Sequence, residues 1–284
     1  MDKADQFINR VGNLPPAPTI ATELLEILGD PNQRVDQFVD LIRHDPALTA
    51  KIMQRCNTGY FRGAEPATDM FEVIMRLGFY EVYCVVATQL GGGLLTLAKG
   101  APDPHENLLW RHSVMTAVAA SELALHLAEP AAPAFTAGLL HDLGKQVFAT
   151  VEPLRYAELT GQVEMFGLNR AERELEYFGV DHTVIGAQLL RRWSLPESIA
   201  AAVQGHHGQN ADGQRLTALV QVANSLAYEL AGGAEGVDDV TQFQPNPIQL
   251  LGLTTDDIPP LLTQVQFGLQ RVEGFSMHSF TADI

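Results

Sequence analysis

Apolar positions recur along this chain at three- and four-residue intervals, and convincing alternation is found nowhere, so the pattern predicts helices and no sheet. Phe7, Ile8 and Val11 mark a first short helix, which Leu14-Pro15-Pro16-Ala17-Pro18 ends by removing amides and forcing extended backbone. Thr19 is placed to cap a helix with Ile20, Leu24, Ile27 and Leu28 on one face. Asp30-Pro31-Asn32 breaks the chain, and Phe38, Val39, Leu41 and Ile42 line the next helix. Asp45-Pro46 then sets a carboxylate at an N-cap and proline at the first helical position, ahead of Leu48, Ile52 and Met53. Phe61-Arg62-Gly63 reads as loop, Asp69 as the cap of Met70 to Leu77, and a long apolar helix runs from about Phe79 to Leu90. Such a series needs tertiary packing to be stable, which implies an N-terminal bundle of about five helices.

Lys99-Gly100-Ala101-Pro102-Asp103-Pro104 stops both its neighbours and divides the chain into an N-terminal bundle, 1–100, and a second helical domain, 101–284. An Ala-rich helix follows from Leu108 to Leu127, then an apolar one from Pro133 that stops at His141-Asp142, with Gly144 suited to the left-handed closing position. Further helical segments lie near Phe148, from Tyr156 to Phe166 and from Ala171 to Phe178, with Asn169 and Glu172 resembling a capping box. Asp181 caps a helix containing His182, Ile185, Leu189 and Leu190, and Leu195-Pro196-Glu197 opens another that runs into His206-His207-Gly208. Leu216 to Leu230 is helical, Gly236 to Pro247 reads as an acidic loop, and Thr255 to Val272 supplies a last helix before ten frayed residues. The fold class is therefore all-α.

Charge changes the picture. A net charge of −16 argues against direct binding of nucleic acid, which needs clustered positive charge. Residues 105–284 carry −12 of it, so the histidine-bearing part would attract divalent cations and repel anions unless local Lys or Arg compensates. Cys56 and Cys84 have no ligand spacing and fit buried thiols in a reducing compartment. With no signal-peptide order at Met1 to Gln6, and no apolar run near the ~20 residues of a membrane span, the reading is a cytoplasmic protein without a membrane partner.

An imidazole and a carboxylate at the end of an apolar helix are costly to bury unless something pairs with them. The available partners are His112, His182, His206 and His207, which makes a metal site the candidate chemistry. The alternative reading gives each residue a structural role: His112 in the core, His141-Asp142 as a hydrogen-bonded helix end, His182 at a cap. It makes Lys145 a solvated charge at a helix end. His206 and His207 would point about 100° apart on a continuous helix, so both could face inward only if the helix ended there.

The order of these pieces resembles the HD phosphohydrolase superfamily and most closely its HDOD branch. The resemblance rests on Leu14-Pro15-Pro16-Ala17-Pro18, Asp45-Pro46-Ala47-Leu48, Arg76-Leu77-Gly78, Trp110-Arg111-His112-Ser113, Ala137-Gly138-Leu139-Leu140-His141-Asp142-Leu143-Gly144-Lys145, Phe178-Gly179-Val180-Asp181-His182 and Trp193-Ser194-Leu195-Pro196. It implies an N-terminal helical bundle packed on an HD-like helical core, with His112, His141, Asp142, His182, His206 and His207 as metal ligands. It also implies a final aspartate on the last core helix, where Val220-Gln221-Val222-Ala223-Asn224-Ser225 places Asn224. An amide there removes a charged oxygen donor. The expectation is accordingly a degenerate site leaning away from catalysis, with no catalytic residue, no resident cofactor, and Fe, Mn, Zn or Ni as the divalent ions that imidazoles would still accept. The function expected is a regulatory signal-transduction module of the HDOD type that binds a signalling protein or a small ligand. The alternative is a metal-dependent phosphohydrolase of nucleotides or cyclic dinucleotides, in which Asp142 and Lys145 would act.

Overall fold

The computed structural model describes residues 2–11, 19–30, 34–43, 45–57, 65–95, 104–208, 214–232 and 245–271. The expected breaks at Leu14 to Pro18 and Pro31-Asn32, the loop Phe61 to Gly63, the boundary Lys99 to Asp103 and the frayed C-terminus lie outside them. Among the described residues every regular element is helical, with an N-terminal helical region packed on a larger helical core. No helix among them is long and apolar enough to cross a membrane.

The N-terminal region comprises α1 (Lys3–Arg10), α2 (Thr19–Gly29), α3 (Val35–Ile42), α4 (Pro46–Asn57), α5 (Met70–Leu77) and α6 (Phe79–Leu95). Two of the predicted caps form: Asp45 Oδ1 accepts from the Leu48 amide at 3.0 Å and Asp69 Oδ1 from the Glu72 amide at 2.8 Å, whereas Thr19 is the first residue within α2. Helix α6 runs past Gly91-Gly92-Gly93 to Leu95, longer than the pattern predicts. It packs on the core through α8, where the Tyr83 hydroxyl bonds the Thr136 hydroxyl.

The core comprises α7 (Pro104–His126), α8 (Ala131–Leu140), α9 (Leu143–Val151), α10 (Pro153–Phe166), α11 (Arg170–Phe178), α12 (His182–Arg192), α13 (Glu197–Gly205), α14 (Arg215–Leu230), α15 (Pro245–Leu251) and α16 (Ile258–Arg271). Of the expected acidic loop Gly236 to Pro247, residues 236–244 lie outside the described residues and Pro245 to Pro247 begin α15. Helix α7 lies at the centre and packs on α8, α14 and α16. Its small side chains, Ala117, Ala119 and Ala120, are fully buried and let neighbours approach closely. A Cβ at Gly138 of α8 would stand only 2.8 Å from the Thr116 carbonyl oxygen, so glycine sets that helix spacing.

Helix α1 docks on α9 and α12. Its Phe7 ring meets Phe148 of α9 edge-on at 5.0 Å and Phe178 of α11 at 5.8 Å. Arg192 of α12 bridges Asp5 at 2.7 Å and donates to Asn9 at 2.8 Å. Removing the ring leaves a cavity at this seam. Phe7→Ala is therefore expected to cost about 3 kcal/mol, read as a lower urea midpoint at unchanged m.

Candidate metal centre

The six predicted residues come from four places in the fold. His112 sits within α7, His141 and Asp142 in the turn between α8 and α9, His182 at the first position of α12, and His206 and His207 in the turn after α13. Because α13 ends at Gly205, both of the last pair can turn inward. Their ligand atoms form two groups, Asp142 with His182, His206 and His207, and His112 with His141 and Asp142, with all atoms of a group within 4.8 Å of one another. Asp142 belongs to both. Imidazoles of neighbouring residues lie 4.1–5.3 Å apart, centre to centre, from His112 through His141 and His206 to His207 and His182.

The hydrogen bonds decide which nitrogen faces the centre. His141 Nδ1 lies 2.7 Å from the Gly138 carbonyl oxygen and His206 Nδ1 lies 2.6 Å from that of Val203. A carbonyl only accepts, so each Nδ1 must donate, and in the neutral ring Nε2 presents a lone pair. These Nε2 atoms stand 3.3 and 3.6 Å from the Asp142 carboxylate, and neither makes a hydrogen bond. Asp142 Oδ1 is likewise buried without one. Burial pushes the His141 pKa down, against the pull of Asp142, and neighbouring His206 and His112 lower it further. Burial alone would raise Asp142, but His141 and Lys145 hold its carboxyl well below the usual carboxylate range. An anion ringed by lone pairs is an arrangement a cation completes. With imidazole donors bonded at their far nitrogens, this His/Asp cluster can coordinate a divalent metal.

Lys145 is not the solvated helix-end charge that its position after Gly144 suggests. The chain breaks at His141-Asp142 and resumes as helix at Leu143, so Lys145 lies in the first turn of α9, buried, with Nζ 2.8 Å from Asp142 Oδ2. Gly144 likewise lies inside α9 rather than closing α8. A Cβ there would stand 2.0 Å from the His182 carbonyl oxygen, so its role is to let α9 and α12 touch.

Two supporting residues carry no signal in the sequence. Gln221 of α14 donates from Nε2 to the carbonyls of Gly205 and Gly208, at 2.7 and 2.9 Å, and so clamps the turn that holds His206 and His207. Gln221→Ala is expected to weaken Co²⁺ binding about tenfold in an optical titration, as loss of an outer support does. Glu174 of α11 is fully buried beside His182. Its carboxyl is pushed up to about 7 by burial, offset by the His182 amide, Lys145, Arg170 and Tyr156.

The expected degeneracy is overturned. Both ligand groups are complete in histidine and aspartate and neither draws on position 224, so Asn224 does not leave the centre without its carboxylate. Asn224 is buried on α14, and its Oδ1 makes no hydrogen bond.

A model of the HDOD domain matches residues 14–209. The chain belongs to the HDOD family. A Treponema pallidum protein without an assigned function is 26% identical over 206 residues, 72% of this HDOD chain and 39% of that protein. Ribonuclease Y of Acholeplasma laidlawii is 25% identical over 182 residues, 62% of this chain and 28% of the enzyme. The chain thus spans less than two fifths of the length of either relative. The crystal structure of an HDOD protein of unknown function from Geobacter sulfurreducens has the same fold, with a TM-score of 0.72 at 23% identity, covering 99% of this chain and 91% of that one.

Proposed function

We propose that this HDOD protein is a metal-dependent phosphohydrolase acting on phosphoesters of nucleotides or cyclic dinucleotides. The observation that carries the reading is Asp142, one buried carboxylate shared by two groups of imidazole donors. In this reading His112, His141 and Asp142 would hold one divalent ion, and Asp142 with His182, His206 and His207 would hold a second. Two such ions supply Lewis-acid polarisation of a phosphoryl oxygen and a water nucleophile at neutral pH.

The protein's own part is to aim the donors and to offset charge. Burial pushes the His141 pKa down, and the Gly138 and Val203 carbonyls hold the protons of His141 and His206 on the outer nitrogens. Lys145 is the ammonium at this site and would meet a bound phosphoryl group, as a point charge suited to phosphate. That offset matters in a protein whose net charge would otherwise repel the substrate. The curated relative named Ribonuclease Y supports phosphodiesters as the class of bond.

The test is to strip the protein of metal, reconstitute it with Mn²⁺, Fe²⁺ or Ni²⁺, and assay mononucleotides, cyclic dinucleotides and short RNA. Turnover that depends on the ion and disappears in His141→Ala is expected. Ion uptake with no turnover of any of these esters would overturn the reading.

A further inference from the structure

Within the proposed metal centre, His182 differs from the other two inward-facing imidazoles whose outer nitrogens are accounted for. His141 and His206 lean on neutral carbonyls within their own helical turns, whereas His182 Nδ1 lies 2.5 Å from a carboxylate oxygen, Glu174 Oε2. The same oxygen accepts the His182 backbone amide at 2.7 Å. Glu174 therefore fixes both the main chain and the ring of the residue that begins α12. Its second oxygen, Oε1, accepts the Tyr156 hydroxyl at 2.9 Å. Tyr156 is itself stacked on Phe148 at 5.3 Å, and Phe148 on Phe178 at 4.7 Å, so an aromatic wall stands behind the carboxyl. Both His182 and Glu174 are fully buried, and His182 Nε2 points to Asp142 Oδ1 at 3.5 Å.

We propose that Glu174 is a positioning residue which, oriented by Tyr156, holds His182 with its proton on Nδ1 and raises the basicity of Nε2 toward the ion. A carboxylate accepting from the outer ring nitrogen makes the inner one a stronger donor than a carbonyl does, because the imidazole gains partial imidazolate character. His182 is thus a stronger imidazole donor than His206, whose outer nitrogen leans on a carbonyl.

The inference rests on the metal reading above, and the experiment separates the two. Wild type, Glu174→Gln and Tyr156→Phe are titrated with Co²⁺, following the visible absorption of the bound ion. The exchangeable imidazole N–H resonances shifted by the bound Co²⁺ are followed by proton NMR. Glutamine keeps an acceptor oxygen and removes the charge, so Co²⁺ affinity is expected to fall 10–100-fold, with one shifted N–H resonance moved or lost. A role confined to packing would lower thermal stability and leave the Co²⁺ affinity and resonances of the folded variant unchanged, which overturns the proposal. Should Glu174→Gln fail to fold, Tyr156→Phe decides: it keeps the carboxylate, removes the group that orients it, and is expected to weaken Co²⁺ binding several-fold, an unchanged affinity being the overturning result. A wild-type protein that takes up no Co²⁺ overturns the metal reading and this inference with it, whereas uptake by wild type and Glu174→Gln alike overturns the role of Glu174 alone.

Discussion

Replacing Gly144 by alanine is expected to lower stability by about 3 kcal/mol or more and to abolish Co²⁺ uptake, although the residue offers no ligand atom. Its missing Cβ would lie 2.0 Å from the His182 carbonyl oxygen and 2.7 Å from the carbonyl carbon. Those are backbone atoms, which cannot swing aside as a side chain can. Overpacking of a well-filled core costs about 1–3 kcal/mol when side chains can adjust, so a clash with main chain lies at or beyond the top of that range. The relief available is for α9 and α12 to separate. That motion carries Asp142, at the start of α9, away from His182, at the start of α12. Gly161 provides the contrast: it is an exposed residue of α10 with nothing within 4 Å of its would-be Cβ. Gly161→Ala should stabilise by about 0.5–1 kcal/mol through helix propensity and leave ion binding alone. Urea midpoints and Co²⁺ titration of both variants check the pair, and a Gly144→Ala protein with the stability and affinity of wild type would contradict the close contact.

What could be read along the chain and what could not follow from one distinction. Caps at Asp45, Asp69, Asn169 and Asp181 were legible because the acceptor and the amide it meets are two or three residues apart. The convergence of His112, His141, Asp142, His182, His206 and His207 was legible because their order along the chain resembles that of the HD superfamily. Gly144 and Lys145 were misread together: treating Gly144 as the end of a helix makes Lys145 a solvated terminus, whereas the helix breaks two residues sooner and restarts. Once α9 begins at Leu143, Lys145 stands three residues from Asp142 and on the same face.

Glu174 shows a harder limit. In Arg-Glu-Leu-Glu-Tyr-Phe, 173–178, nothing distinguishes Glu174 from Glu176, and the pattern would send Leu175 inward. The structure does the reverse: Arg170, Glu174 and Phe178, four residues apart, form the buried face, and Leu175 is 54% exposed. A polar inward face is explained only by partners from elsewhere, Tyr156 and His182, which no periodicity reveals. The reading of Asn224 failed for a related reason. It let one position on α14 decide the state of the centre, whereas the donors converge from α7, α12 and two turns, and α14 contributes through the Gln221 clamp.

Asp142→Asn is expected to weaken ion binding by removing the shared donor itself, where Gly144→Ala acts through helix spacing. The amide has the shape of the carboxylate, but the set loses its only anion, the two donor groups lose their charged shared member, and buried Lys145 loses its ion-pair partner. His141 and Lys145 hold the Asp142 carboxyl well below the usual carboxylate range despite its burial. In the variant the imidazoles beside Lys145 are left with no anion in the ligand set to offset the charge of a dication. Mn²⁺ and Co²⁺ affinities should fall more than 100-fold, on the order of 3 kcal/mol, and phosphoester turnover should drop below detection. In wild type, free ion at about 100 times its Kd adds about 2.7 kcal/mol and should raise the melting temperature by roughly 5 °C. In Asp142→Asn that rise should vanish, and the metal-free melting temperature should fall as well, because Lys145 loses its buried partner. Asp181→Asn is the matched control, since it stands next to His182 and neutralises one carboxylate, yet asparagine caps α12 about as well as aspartate does. If Asp142→Asn took up Mn²⁺ with the affinity of Asp181→Asn, the shared carboxylate would not be what holds the ions, and the two donor groups would have to be read as a buried polar network alone.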